Sequence, residues 1–393
     1  MRIYEEALSI NTELLEMRKF LHQNPELGLE LPITAKFVED KLREMGYEPK
    51  RIGESGIVAT VGKKDGKCVL LRADMDALPV VEEADVPYRS TNGNMHACGH
   101  DCHTTNLLGA AKILKNHEEE LNGMVKLMFQ PAEETMEGAQ MMVENGVCDG
   151  VDVAMGMHVY TNSPLPTGTV ILMGMHSKMA AVDRFTIHIT GKGCHGASPH
   201  TGVDPLNVMC HIHLALQTIN SREMNPLDNI VLTIGQMQGG NAANVIPNDA
   251  FMTGTIRTLK NETRAMVKER MCAIVSSVAS AFNAQASVEF GSGCLVLYNN
   301  HEVYAQVKEI LGTLDGINVC DTDNAGQDMS SMGSEDFSYV ANTVPSVFLG
   351  LSAGRPEDGC CYPLHHPKAK YLDESLAVGA AVYAHVAMEL LKK

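Results

Sequence analysis

Two kinds of hydrophobic spacing alternate along the chain and predict a layered α/β arrangement. Predominantly apolar runs at 57–61, 68–72, 125–130, 151–157 and 346–351 read as buried strands, with a further strand at 169–173. Between them, residues 3–21, 35–45, 104–116, 138–144, 302–314 and 373–391 repeat their apolar positions at helical spacing, and Gly46 follows the second of these as a C-terminal cap. Strand–helix–strand order of this kind implies parallel pairing. From about residue 180 the pattern changes. Residues 184–190 alternate apolar and polar, so that strand has one exposed face. A helix at 205–220, strands at 230–236 and 251–258, a helix at 262–282 and a strand at 286–290 complete a β-α-β-β-α-β order. The expectation is a mostly parallel α/β sheet flanked by helices, built from 1–179 and 293–393. It is interrupted by an inserted α+β ferredoxin-like domain at 180–292.

Chemistry concentrates in one stretch. Residues 95–103 hold His96, Cys98, His100, Asp101, Cys102 and His103: three imidazoles, two thiols and a carboxylate. Isolated cysteines and histidines are ordinarily small buried hydrophobes or solvated loop residues. So many donor groups in one short run point instead to a shared cation, and thiolate with imidazole suits zinc and its borderline-soft neighbours. Further donors stand just past the buried strands: Asp74 and Asp76, Glu133 and Glu134, and His158. Polar groups released at successive strand ends are what an open parallel sheet presents at its ligand crevice.

Composition narrows the partners. At 393 residues the chain exceeds a single core, and 45% hydrophobic with 20% charged residues is ordinary for a globular protein. A net charge of -17 argues against nucleic acid and anionic membrane as partners. Glu5, Glu6, Glu13, Glu16, Arg18 and Lys19 interrupt any signal-peptide core, no later run spans a bilayer, and eleven scattered cysteines do not form a disulfide framework. A cytoplasmic protein with reduced thiols is expected.

With these residues laid out, the chain resembles the aminoacylase and carboxypeptidase family of two-metal amidohydrolases, in the branch with hippurate hydrolases, auxin-conjugate hydrolases and N-acetyl-diaminopimelate deacetylases. The likeness runs from about 18 to 391. It rests on six ordered blocks, at 72–79 (RADMDALP), 95–103, 130–134, 191–200 (GKGCHGASPH), 244–247 (NVIP) and 333–337 (GSEDF). Carried onto matching positions, the resemblance implies two divalent ions per subunit held by Cys98, His100, Glu134, His158 and His365, with Cys98 as the bridge. Manganese or zinc is expected, with cobalt and nickel also compatible. Elsewhere in the wider family an aspartate bridges, and a histidine ligand stands where this chain has Asp74. Asp76 is implied as a carboxylate that orients a ligand. His195 is implied to reach across a homodimer, formed through the inserted domain, to the scissile carbonyl oxygen, and Asn244 and Arg257 to hold the substrate's α-carboxylate.

Amide hydrolysis needs an activated water and a proton for the departing amine. Neighbouring carboxylates can divide that work, Glu134 binding metal while Glu133 takes the water's proton and passes it to nitrogen. The expected substrate is an N-acyl amino acid. A dipeptidase or carboxypeptidase on the same machinery is the alternative, and a non-catalytic metal-binding protein a remote one, since it would need neither Glu133 nor His195 nor Arg257. Gly350-Leu351-Ser352-Ala353-Gly354 formally matches a nucleophile elbow, but the breaker-rich stretch at 355–359 replaces the helix such an elbow requires.

Overall fold

The computed structural model describes residues 2–176, 178–324 and 329–392. Two compact units emerge, one comprising Met1–Ser177, Tyr298–Met329 and Asp336–Lys393, the other Lys178–Leu297 and Ser330–Glu335.

The first unit is built on an eight-stranded sheet. Its strands are β1 (Lys50–Ile52), β2 (Gly56–Gly62), β3 (Lys67–Asp74), β4 (Gly123–Gln130), β5 (Val153–Tyr160), β6 (Val170–Leu172), β7 (Val319–Asp321) and β8 (Ser346–Ser352), in the spatial order β1-β2-β4-β3-β5-β8-β6-β7. The central strands β4, β3, β5 and β8 run parallel, while β2 on β4 and β6 on β8 are antiparallel. The apolar runs have their expected cause, because β3, β5 and β8 are buried along nearly their whole length. Helices Asn11–Gln23, Pro32–Glu44, His100–Asn116 and Glu374–Leu390 cover the sheet and contribute Leu14, Val38, Leu107, Leu114, Val382 and Tyr383 to one continuous core. Gly109 lets two of these helices approach closely, since a Cβ there would stand 2.8 Å from Ala380 Cβ and 2.7 Å from Leu14 Cδ2.

The second unit is a four-stranded antiparallel sheet in the order Ile230–Gly239, Asp249–Thr258, Ala181–Thr190, Gln285–Cys294. Helices Pro205–Thr218 and Asn261–Ala281 pack on one face. Phe185, Ile187 and Ile189 point into that core with Val208, Ile212, Val267 and Met271, while Arg184 and His188 stay exposed on the other face. The first helix is capped by Asp204, whose carboxylate accepts from the amides of Leu206 and Asn207.

Three local expectations change. Residues 3–21 form two helices, Ile3–Ser9 and Asn11–Gln23, because Ile10 leaves helical geometry at φ -100° and ψ 9° although the apolar spacing continues through it. His158 lies inside β5 rather than beyond it. The helix expected from 104 begins at His100, so half of the donor-rich stretch is its first turn. Among the described residues no helix is long and apolar enough to cross a membrane, and all eleven cysteines are free thiols.

Candidate metal centre

The site is assembled at the carboxyl ends of β3, β4 and β5, where Asp74 pairs with Gln130 in register. The sharp step from Cys98 to His100 turns on Gly99. Its φ of +87° is strained for any side chain, and a Cβ there would lie 2.5 Å from Val159 Cγ2 and 2.9 Å from the Tyr371 ring. Only glycine therefore lets the thiol at the mouth of the helix and the imidazole of its first residue converge.

Five side chains meet there. Cys98 Sγ lies 3.3 Å from His158 Nε2 and 3.3 Å from His365 Nε2. His365 Nε2 lies 3.4 Å from Glu134 Oε1. Two triads of donor atoms result, Cys98 with His100 and His158 and Cys98 with Glu134 and His365, each within 4.8 Å, and they share the Cys98 sulfur. Glu133 joins His100 and Glu134 in a third such group. His365 is the exposed member, which gives the cluster an open side.

Local backbone is bent to achieve this. Ala132 (φ 57°) and Met136 (φ 63°) flank the two glutamates, and His365 itself sits at φ 65°. Non-glycine residues held in the left-handed region store strain that the surrounding contacts must hold in place. His365 is tied by its amide to the Ala97 carbonyl at 2.8 Å. The glutamates are gripped by Asp76, whose buried carboxylate accepts from the Glu133 amide at 2.9 Å and the Glu134 amide at 3.1 Å. The Asp76 carbonyl accepts from His100 Nδ1 at 2.8 Å. His158 Nδ1 donates to the Val159 carbonyl at 2.6 Å. In both rings the Nε2 lone pair is thereby turned toward the cluster.

The residues present fit a bound cation. His100 Nε2 and Glu134 Oε1 are buried without a hydrogen-bond partner, and orphaned buried acceptors of this kind are rare unless something positive completes them. Burial pushes the Cys98 thiol well above its ordinary value, and the Glu134 charge adds to the shift. Burial likewise raises Glu134, against the opposing pull of His100 and His365. Burial would lower His100, yet the Asp74 charge and interactions with Asp76 and Cys98 carry it well above its usual range. The cluster is short of positive charge.

A model of peptidase family M20/M25/M40 matches residues 70–389. The chain belongs to that family. Over 381 residues it is 38% identical to the N-acetyl-L-cysteine deacetylase of Bacillus subtilis (strain 168), covering 96% of this chain and 88% of that protein. It is 36% identical to thermostable carboxypeptidase 2 of Saccharolobus solfataricus, covering 100% of this chain and 99% of that one. Among solved structures it is similar to a Bacillus subtilis dinuclear metal-binding peptidase of the M20 family, with a TM-score of 0.80, 32% identity and coverage of 98% and 99%. The M20 chain is thus a metal-dependent amidohydrolase, as its hydrolase and peptidase relatives are.

His195 and Asn244 lie side by side in the second unit, since Val245 pairs with His195 and the Asn244 carbonyl accepts from Gly196 at 2.8 Å. His195 is exposed, and its Nδ1 accepts from the Ala197 amide at 3.0 Å, which leaves the ring proton on Nε2 as an outward donor. Arg257, on the Asp249–Thr258 strand of that unit, is anchored through Nη1 to the Met332 carbonyl at 2.6 Å and to Ser334 Oγ at 3.1 Å. His96 joins none of the donor groups, and burial pushes its ring down to about 4. Ser352 is buried at the end of β8, donates to the Leu165 carbonyl and is followed by irregular backbone and only a three-residue 3-10 turn at Pro356–Asp358, so the elbow reading fails.

Sequence reasoning missed the groups beneath the ligand helix. Asp101 accepts from Arg18 Nε at 3.1 Å and pairs with His22 Nδ1 at 2.9 Å, while His22 Nε2 meets Glu82 at 3.0 Å. The available signal was the placement of Arg18 and His22, four apart on the same buried stripe as Leu14, Met17 and Leu21. Burial alone would lower His22, but the Asp101 charge and the hydrogen bonds to Asp101 and Glu82 raise it from 6.5 to about 9. A folded-state value above the unfolded one gives stability that is full below pH 6.5 and is lost as pH rises through about 9. Urea unfolding of the wild type should lose about 3 kcal/mol of this contribution across that window, and His22→Gln should flatten the slope. Equal slopes for the two proteins would remove His22 from this role.

Proposed function

We propose that the chain hydrolyses the amide bond of N-acyl amino acids with two divalent metal ions sharing Cys98. His100 and His158 would hold one ion together with Cys98, and Glu134 and His365 the other. The observation that carries the reading is the pair of donor triads meeting at one sulfur, with Glu133 beside them. The mixture of thiolate, imidazole and carboxylate suits first-row divalent ions, and manganese or zinc is our assignment. When bound, such ions supply a water acidified to near neutrality and a polarising contact on the scissile carbonyl.

The protein's own residues do the rest. Asp76 fixes both glutamate amides, so Glu133 can be aimed independently of Glu134. Glu133 accepts the attacking water's proton at its carboxylate and returns it to the leaving nitrogen. His195 offers its Nε2–H to the carbonyl oxygen from a second copy of the chain. The dimer is supported by the ten-residue edge strand Ile230–Gly239, which carries no charged residue and no proline and is exposed along most of its length. Such an edge is a template for another strand. Arg257, pre-oriented by Ser334, and Asn244 bind the α-carboxylate, a task for a guanidinium fork.

The competing reading, cleavage of a C-terminal peptide residue, is favoured by the carboxypeptidase relative. A turnover panel of N-acetyl, N-benzoyl, long-chain acyl and dipeptide substrates, with manganese supplied, separates the two. Our reading expects the N-acyl amino acids to be turned over fastest, and amides lacking an α-carboxylate to be poor. A preference for dipeptides would replace it with the peptidase reading.

A further inference from the structure

We propose that His103, held by Asp74, is a positioning residue for His158 and acts in place of a missing strand contact. The inference rests on the metal-site reading above. β3 and β5 pair from Val69 with Val153 to Arg72 with Gly156 and no further. β5 nevertheless continues to Tyr160, paired on its other side with β8 up to Ser352. Beyond Gly156, backbone groups of β5 on the β3 side need another partner.

His103 provides one. Its Nε2 accepts from the Val159 amide at 2.8 Å, which places the ring proton on Nδ1, and Nδ1 donates to Asp74 Oδ1 at 2.5 Å. Asp74 is fixed in turn by Arg72 Nη1 at 2.7 Å, and Arg72 is held by Gln130 at 2.9 Å and Asp336 at 2.9 Å. Thr104 Oγ1 binds the Asp74 carbonyl at 2.8 Å. His103, Asp74 and Arg72 are all buried. Asp74, His100 and His103 lie close enough together to hold an ion, but both nitrogens of His103 are already engaged, so it is not a ligand.

The consequence falls on the next residue back. Val159 gives its amide to His103, and its carbonyl receives Nδ1–H of His158. That second bond fixes the His158 tautomer and directs Nε2 at Cys98. With His103 removed, the Val159 backbone loses its anchor and the His158 ring loses its fixed acceptor. Asp74, which stands where the wider family has a ligand, thus serves the site through His103 as well as through its charge beside His100, whose Nε2 lies 3.7 Å from Asp74 Oδ2.

Manganese content of the full-length purified protein by mass spectrometry, and affinity by calorimetric titration, test this without reading turnover. His103→Ala should weaken the ion at His158 by roughly 10- to 100-fold and leave the second ion bound. His103→Gln, whose amide offers both an N–H and an acceptor, should restore much of the loss. Asp74→Asn, a gentler variant that keeps an acceptor for Nδ1–H, should weaken the same ion by less than His103→Ala. Unchanged affinity in both His103→Ala and Asp74→Asn would overturn the positioning role. Equal loss of both ions, with His103→Gln no better than His103→Ala, would reduce the pair to a folding role and also overturn it. A wild-type chain that takes up no ion would instead overturn the metal-site reading itself.

Discussion

Glu133→Gln should lower kcat by on the order of 10²- to 10⁴-fold while the protein keeps its full metal content. The amide is nearly the same shape, so the hydrogen bond from the residue 133 backbone to Asp76 persists, and only the basic oxygen is lost. Substantial remaining turnover would remove Glu133 from the role of base. The same variant also tests the shared site. His195→Ala alone should be inactive. Mixed in equal amount with Glu133→Gln under subunit exchange, it should regain roughly a quarter of wild-type turnover, because half of the re-formed dimers then hold one intact site. No recovery despite demonstrated exchange would leave His195 outside the neighbouring site.

Gly99→Ala is expected to abolish metal binding and to lower stability by about 3 kcal/mol or more. Two contributions add there: the left-handed backbone, at about 1–2 kcal/mol, and overpacking, at about 1–3 kcal/mol. The new methyl would meet Val159 and Tyr371, and the Tyr371 hydroxyl donates to the Ala97 carbonyl in the same loop. Gly93 separates the contributions. It has φ +91° but nothing within 4 Å of a built Cβ, so Gly93→Ala should carry the backbone strain alone and keep its metal. Thermal unfolding and metal content of the two variants measure the difference. Equal effects would mean that the crowding at Gly99 does not matter.

How much of this was legible follows from what each signal depends on. The central strands could be read because burial on both faces favours runs that are mostly apolar without alternation, and residues 184–190 could be read because one open face forces alternation. The break at Ile10 was invisible, since the hydrophobic stripe runs through it and no glycine or proline marks it. Short strands such as Lys50–Ile52 and Val319–Asp321 carry too few residues to show a period. At the site, the donor types announced themselves in Cys98, His100 and the Glu133–Glu134 pair. The helical start at His100 did not, because its buried first turn is polar for reasons that lie in other segments: Arg18, His22 and Asp74 contact it from far along the chain. His103 carried no individual role in the sequence, being one of three imidazoles in the donor-rich run. Its two hydrogen bonds, which only the folded register of β3 and β5 creates, give it one.

The sharing of one sulfur by two cations is the claim on which the chemistry rests, and metal counting addresses it most directly. Purified after manganese or zinc loading, the wild type should hold two ions per chain, His365→Ala one, and Cys98→Ala close to none, because only Cys98 belongs to both donor triads. A folded Cys98→Ala protein that still binds two ions would contradict the account.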